Sequence, residues 1–174
     1  MFGFNFDRKT LYMTIGILVV LSLMSYGAEK IFGLVLSIPA VLLAITIHEF
    51  GHAYSAYLLG DDTAKMYGRM TLNPAKHLDI IGLISMLIFR IGWAKPVPVN
   101  PNNFKNYKVG NIIVSLAGVA ANIITAIICV LINKYVNMYA INEIAYAVII
   151  YNVGFASFNL LPINHLEKYI LNKQ

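Results

Sequence analysis

The chain has 174 residues, of which 59% are hydrophobic and only 12% are charged. Soluble domains contain about 45–50% apolar residues and need more charge to coat their surface, so this composition argues against a water-soluble fold. The net charge of +5 comes from basic residues that are scattered among loops, which argues against a nucleic-acid partner. Cys129, the single cysteine, excludes an internal disulfide framework.

The apolar residues gather into four segments that are long enough, or nearly so, to cross a hydrocarbon core, which takes about 20 helical residues. These segments are 10–26, 31–59, 109–132 and 141–161. Arg8 and Lys9 precede the first segment, but no clear small-residue cleavage site follows it. We therefore interpret segment 10–26 as the first membrane helix and not as a secretory signal peptide.

A fifth apolar segment, 80–93, is too short to span a bilayer. Its 14 residues reach about 21 Å along a helix, whereas the hydrocarbon core is ~30 Å thick. We predict that it is re-entrant or tilted and is buried against the other helices, where its polar groups are satisfied. The fold class is then an all-α multi-pass membrane protein with about four transmembrane helices, in a single membrane-embedded domain over 1–174.

Basic residues in the loops predict how the chain is oriented. If segment 80–93 enters the bilayer and returns, two basic loops lie on the same side as Arg8 and Lys9, as the positive-inside tendency favours. Their basic residues are Lys65, Arg69 and Lys76 in the first loop and Lys95, Lys105 and Lys108 in the second. The sequence therefore predicts that both loops are cytoplasmic.

Three prolines interrupt helical structure between Ala94 and Phe104, and we predict an extended loop in this Pro-rich stretch. Its simplest role is that of a rigid connector. The alternative is an exposed edge that pairs with an extended substrate segment through main-chain hydrogen bonds.

Residues 48–52 read His-Glu-Phe-Gly-His, at the end of a long uncharged run. On a helix, His48 and His52 lie on one face and can bind one ion, with Glu49 beside them to take a proton from the attacking water. Zinc suits such a site because it binds nitrogen and oxygen ligands and makes hydroxide available near neutral pH. The alternative is that both imidazoles bond neighbouring backbone, but ionisable groups at membrane depth cost about 2.5–3.5 kcal/mol and favour a functional reason.

A zinc site needs at least one more protein ligand, and the sequence leaves its identity open. Glu167 ends the last apolar segment, and His165 lies two residues before it. Either side chain is a competent zinc ligand, although both also fit a solvated helix end. His77 is a further candidate, but Asn73-Pro74 places it in an interfacial loop, and we interpret it as a non-ligand.

Several stretches besides residues 48–52 make the chain resemble the site-2 proteases, zinc metalloproteases that cleave within membranes, and in particular their short prokaryotic members. Residues 68–79 read Gly-Arg-Met-Thr-Leu-Asn-Pro-Ala-Lys-His-Leu-Asp, and residues 92–100 read Gly-Trp-Ala-Lys-Pro-Val-Pro-Val-Asn. Residues 117–122, Ala-Gly-Val-Ala-Ala-Asn, are similar to Ala-Gly-Pro-x-x-Asn with Val119 where proline is usual. Residues 158–163, Phe-Asn-Leu-Leu-Pro-Ile, resemble the start of the second active-site motif.

The resemblance implies roles for two further residues. The second motif of the family continues to Leu-Asp-Gly, whose Asp is the third zinc ligand, and Glu167 stands at that position with Lys168 in place of the glycine. Asn122 would lie near the zinc and orient the substrate carbonyl or stabilise the developing oxyanion. A helix–helix hydrogen bond is the alternative role for Asn122, and the structural role is favoured for Asn159.

The sequence therefore predicts an intramembrane zinc metalloprotease that binds one Zn²⁺ per chain through His48, His52 and Glu167. Its catalytic residues would be Glu49 and Asn122, and its substrates would be transmembrane segments of other proteins. We expect it in the cell membrane, with its active site towards the cytoplasmic side. The alternative is a catalytically inactive relative, marked by the altered Leu166-Glu167-Lys168, that binds membrane segments without cleaving them.

Overall fold

The computed structural model describes residues 8–24, 28–82, 85 and 93–160. Regular structure in these residues is helical, and the strands that would make a sheet are absent from them, so the predicted all-helical class is confirmed. The α-helices whose bounds lie within the described residues are α1 (Arg8–Met24), α2 (Ala28–Leu58), α3 (Thr63–Met66), α4 (Tyr107–Tyr135) and α5 (Tyr139–Leu160). Short 3₁₀ turns cover Pro74–Lys76 and Pro101–Asn103.

Two of these helices, α4 and α5, are long and apolar enough to cross a membrane. The apolar stretch of α1, Lys9–Leu21, is shorter. Helices α1, α2, α4 and α5 begin and end within a few residues of the four predicted segments, but four spans remain a prediction. Most of the predicted re-entrant segment 80–93 lies outside the described residues.

The chain divides into two compact units, and the single domain over 1–174 stays a prediction. The first unit contains Met1–Leu36 and Leu78–Lys95. Within it, an isolated antiparallel bridge joins Leu78 to Ala94. Close to this bridge, the Gly82 N–H donates to the Asp79 side chain at 2.9 Å.

The second unit contains Ser37–His77 and Pro96–Gln174, and its core lies between α2, α4 and α5. Each of these helices has a stripe of buried residues spaced by three or four positions, which is the spacing of one helical face. The stripes comprise Ala40, Ala44 and His48 on α2, Gly110, Val114, Gly118, Asn122, Ala126 and Cys129 on α4, and Ala145, Val148, Asn152 and Ala156 on α5.

Helices α2 and α4 cross at a small residue. A Cβ atom on Gly51 would lie 2.9 Å from the Ala117 carbonyl oxygen and 3.1 Å from the Ala121 Cβ. Glycine is therefore needed for the two backbones to approach this closely, as is common where membrane helices pack. This crossing lies one residue before His52 and so fixes the site helix against α4.

A Schellman motif ends α2 and turns the chain towards the Pro-rich stretch. Gly60 has φ +102°, its N–H donates to the Tyr57 carbonyl, and the Asp61 N–H donates to the Ala56 carbonyl at 2.9 Å. Glycine adopts this left-handed conformation without steric cost. Asp61 is thereby placed directly beyond the end of the site helix.

We expect Gly51→Ala to lower the free energy of unfolding by about 1–3 kcal/mol, because the added methyl group overpacks the α2–α4 crossing. Gly154→Ala on α5 is the matched control, since a Cβ there meets no atom of the described residues within 4 Å. That control should be neutral or slightly stabilising. Thermal unfolding in detergent compares the two variants, and equal melting temperatures would contradict the close approach.

Candidate metal centre

The imidazoles of His48 and His52 converge on one face of α2. Their Nε2 atoms lie 3.0 Å apart, and the rings are nearly perpendicular, with centroids separated by 4.6 Å. Two nitrogens bound tetrahedrally to one zinc at about 2.0–2.1 Å would be about 3.3–3.4 Å apart, so an ion fits after a shift of a few tenths of an ångström. A direct hydrogen bond from His48 to His52 would have the same geometry.

His52 is oriented by a main-chain group on α4. Its Nδ1–H donates to the Val114 carbonyl at 2.7 Å, because a carbonyl oxygen can only accept. In the neutral ring this leaves the lone pair on Nε2, the atom that faces His48. A backbone acceptor on the far nitrogen is the arrangement that holds metal-binding histidines in the correct tautomer.

Gly118 on α4 leaves the space that the two rings occupy. A Cβ atom there would lie 2.6 Å from His52 Nε2 and 2.8 Å from His48 Cε1. Any other residue at this position would therefore push at least one imidazole away from its neighbour. The site depends on this glycine for its shape.

Glu49 is almost fully buried, and its carboxylate is held by the Pro-rich stretch. Its Oε2 accepts a hydrogen bond from the Val97 N–H at 2.8 Å. Pro96 and Pro98 flank Val97 and have no N–H of their own, so Val97 supplies the only main-chain donor of these three residues. The Pro96 carbonyl accepts in turn from the Arg69 guanidinium at 3.2 Å.

Asp61 fixes the other end of the same stretch. Its carboxylate accepts from the Asn100 N–H and the Asn103 side-chain amide, each at 2.7 Å, and also from Thr63. Burial of Asp61 would raise the pKa of its carboxyl, but the hydrogen bonds from Thr63, Asn100 and Asn103 outweigh burial and lower the pKa below its ordinary value of 3.8. Asp61 therefore remains ionised at neutral pH and holds the stretch in place.

The structure places the remaining predicted residues as follows. His77 is fully buried and its Nε2 donates to the Thr71 carbonyl at 2.8 Å. It does not join the imidazole pair, because no group of three metal-ligating side chains occurs among the described residues. Glu167 and His165, the predicted third ligands, lie outside those residues.

Two predicted asparagines lie on the core helices. Asn122 is fully buried on α4, and its amide nitrogen and oxygen have no hydrogen-bond partner in the described part of the chain. It lies one helical turn beyond Gly118, on the same buried stripe. Asn159 is exposed, and its amide donates to the Phe155 carbonyl at 2.9 Å.

Sequence reasoning missed several groups that shape the site. The Val114 carbonyl and the Val97 N–H are main-chain groups, which every residue type carries, so no residue letter signals them. Asp61 had a usable signal, since an acidic residue directly after a helix-ending glycine is placed to bond a neighbouring loop. Gly118 lies in the stretch 117–122 that carries the family resemblance, but the sequence alone does not predict its contact with both imidazoles.

Comparison with known proteins finds relatives of one kind. The chain is 40% identical over 139 residues to "Putative zinc metalloprotease YwhC" of Bacillus subtilis, a match that covers 74% of this chain and 64% of the relative. It is 31% identical over 148 residues to "Putative zinc metalloprotease Rip2" of Mycolicibacterium smegmatis, covering 78% of this chain and 55% of the relative. The predicted resemblance is confirmed. The chain belongs to the site-2 protease family.

The chain matches only part of each relative. The chain spans about two thirds of the YwhC relative and about half of the Rip2 relative. No family model matches the chain, and no solved structure matches it. Membership of the site-2 protease family therefore rests on the curated relatives, and the activity of this chain is a matter for proposal.

The lowered pKa of Asp61 predicts how stability changes with pH. The carboxylate contributes its full stabilisation above its ordinary pKa of 3.8, and this contribution is lost as the pH falls through the lower folded-state pKa. Near neutral pH, the wild-type protein and Asp61→Asn should differ by a constant free energy of unfolding. As the pH is lowered into the acid range, this difference should become smaller. Thermal unfolding of both proteins between about pH 3 and pH 7 measures it, and a difference that widens in acid would contradict the assignment.

Proposed function

We propose that this chain is an intramembrane zinc metalloprotease that hydrolyses peptide bonds in transmembrane segments of other proteins. The observation that carries the proposal is the convergence of His48 and His52 at 3.0 Å, with the buried carboxylate of Glu49 between them in sequence. The names of the homologous proteins, which contain the words "zinc metalloprotease", support the same reaction class.

The membrane location is supported by the surface of the helices. Large apolar side chains are exposed along α4 and α5, where they would contact lipid and not water. Examples are Ile112, Ile124, Ile127 and Leu131 on α4 and Ile144, Ile150 and Phe158 on α5. We extend this to four spans with both basic loops on the cytoplasmic side, so that the site opens towards the cytoplasm.

The donor set fits a zinc ion. His48 and His52 would hold it through Nε2, and Glu167 would complete the protein ligands, with His165 as the alternative. His52 already has the tautomer that a ligand requires, because its Nδ1–H donates to the Val114 carbonyl and the Nε2 lone pair remains for the metal. When bound, zinc supplies a Lewis acid for the scissile carbonyl and lowers the pKa of the attacking water.

Glu49 would act as the general base and then as the general acid. Its carboxylate takes the proton of the attacking water and passes it to the leaving amine. The Val97 N–H holds Oε2, so the side chain enters the reaction with its orientation already fixed. Asn122 would orient the substrate carbonyl or stabilise the oxyanion, as the family resemblance implies.

The substrate would be a membrane helix that unwinds locally, because a peptide bond inside a helix is not accessible to attack. The extended Pro-rich stretch beside Glu49 supports this view, since it brings non-helical backbone next to the proposed base. Non-helical backbone at membrane depth is tolerated where it lines a cavity or is buried in protein.

Glu49→Gln should reduce cleavage of a model transmembrane substrate by at least about 10²-fold, because a positioned base contributes roughly 10²–10⁴-fold. Zinc content should be unchanged, since the histidines remain. The assay uses protein reconstituted in vesicles together with metal analysis. Glu143→Gln is the matched control, because Glu143 is exposed on α5 and should leave turnover unchanged.

Two results would contradict the proposal. Wild-type turnover in Glu49→Gln would remove Glu49 from the reaction. Stoichiometric zinc without cleavage of any presented segment, in the wild-type protein, would favour the inactive relative that binds membrane segments.

The third ligand has its own test. Glu167→Ala should lower zinc affinity strongly, whereas His165→Ala should leave it nearly unchanged, since Glu167 stands at the position of the family aspartate. Metal analysis of the purified proteins after chelator challenge gives the comparison. The reverse order of effects would assign the role to His165.

A further inference from the structure

Besides Asn133 Oδ1 and Asn142 Oδ1, which lie near the loop between α4 and α5, four buried polar atoms in the three-helix core have no hydrogen-bond partner among the described residues. They are His48 Nδ1, Asn122 Nδ2, Asn122 Oδ1 and Asn152 Oδ1. Both asparagines are fully buried, and the Nδ2 of Asn152 is already used, since it donates to the Val148 carbonyl at 2.8 Å. Unpaired polar atoms in an apolar core are costly and are normally satisfied.

The contacts of the three helices place these atoms at one level of the core. On α4, Gly118 lies against the His48 ring, and Asn122 follows one turn further along the same stripe. On α5, the Phe155 ring is 6.3 Å from the His48 ring, and Asn152 lies three residues before it. Helix α4 runs antiparallel to α2, and α5 runs parallel to it. Moving from Gly118 to Asn122 on α4, or from Phe155 back to Asn152 on α5, therefore leads from His48 towards the start of α2.

A second group of contacts shows how far along α2 the two asparagines lie from His48. Ala40, Cys129 and Val148 pack together in one cluster, two turns before His48 on α2. Asn122 precedes Cys129 and Asn152 follows Val148, so both amides lie between this cluster and the His48 ring. That interval is the level of Ala44, which is fully buried and has only a methyl side chain.

The His48 ring extends towards the same level. Helical side chains tilt towards the N-terminus of their helix, which for α2 is the direction of Ala44. His52 has the Val114 carbonyl for its Nδ1–H, whereas His48 Nδ1 has no hydrogen-bond partner in the described part of the chain, and the His48 ring lies against the Gly118 main chain. The two imidazoles therefore differ in what orients them.

We infer that Asn122 and Asn152 hold internal water in the core at the level of Ala44. This water accepts a hydrogen bond from the Nδ1–H of His48. The four unpaired atoms comprise two donors and two acceptors, and a water molecule also offers two of each, so one or two waters satisfy the set. Asn152 is then a positioning residue that acts on His48 through water. The inference rests on the proposed function in one respect, that His48 binds metal through Nε2.

Zinc affinity provides the first test. Asn152→Leu removes the acceptor and should weaken zinc binding about tenfold in a chelator competition, the lower end of the effect of losing an outer-shell partner. Asn142→Leu is the matched control on the same helix, ten residues away and so about 15 Å along the axis. It should leave zinc affinity unchanged, and equal effects of the two substitutions would overturn the inference.

A conservative variant separates polarity from packing. Asn152→Thr keeps an acceptor oxygen and a hydroxyl that can donate to the Val148 carbonyl, as Thr46 and Thr125 do to their own i−4 carbonyls. It should bind zinc within about twofold of the wild-type protein. An equal loss in the Thr and Leu variants would mean that shape alone matters, which contradicts a water site.

Combining substitutions tests whether the two amides share one ligand. If they hold the same water, Asn122→Leu with Asn152→Leu should weaken zinc binding no more than the stronger single variant. Independent roles would instead multiply the two effects, to about hundredfold, and would overturn the shared site.

A structure that resolves ordered water provides a test that does not depend on zinc. Water within hydrogen-bond distance of an asparagine amide and of His48 Nδ1 supports the inference, and a side chain from segment 161–174 in that place overturns it. If the wild-type protein binds no zinc, the proposed function fails, while this structure still decides whether the amides hold water.

Discussion

The close approach of α2 and α4 is the constraint on which the rest of the site depends. Gly51 on α2 lets the two backbones approach at the crossing. Beside it, Gly118 on α4 leaves space for both imidazoles. The Val114 carbonyl can reach His52 Nδ1 only because the helices lie this near to each other. The distance between the Nε2 atoms is thus set by glycine positions on two helices, and the imidazole pair follows from backbone packing.

A second chain of contacts links the end of α2 back to its middle. The Gly60 turn places Asp61 beyond the helix, Asp61 binds Asn100 and Asn103, and the stretch that they hold brings the Val97 N–H to Glu49. The prolines serve this arrangement because they keep the stretch extended and remove competing donors. A loop more than forty residues away in sequence is therefore part of the environment of the proposed base.

The sequence predicted the parts of this structure that depend on side-chain type. Long apolar runs located α2, α4 and α5 to within a few residues, and the His48–His52 spacing located the imidazole pair. It did not predict which groups orient that pair, since the Val114 carbonyl and Val97 N–H are main-chain atoms whose position depends on helix packing. The roles of Glu167 and of segment 80–93 remain predictions, because those residues lie largely outside the described structure.

Polar side chains in the core can be satisfied by the main chain of their own helix. Thr46 bonds the carbonyl four residues before it, as helical threonines do in apolar surroundings, and so adds no unmet polar atom. Asn152 also bonds the carbonyl four residues before it, but its Oδ1 and both amide atoms of Asn122 have no partner among the described residues. The same holds for Asn133 Oδ1 and Asn142 Oδ1, which lie further from His48 on these two helices. Unpaired buried polar groups are normally satisfied by a ligand, and under the proposed function that ligand is water, which hydrolysis inside a membrane requires. On this proposal, the two amides near His48 serve the chemistry of the site and not only the packing of its helices.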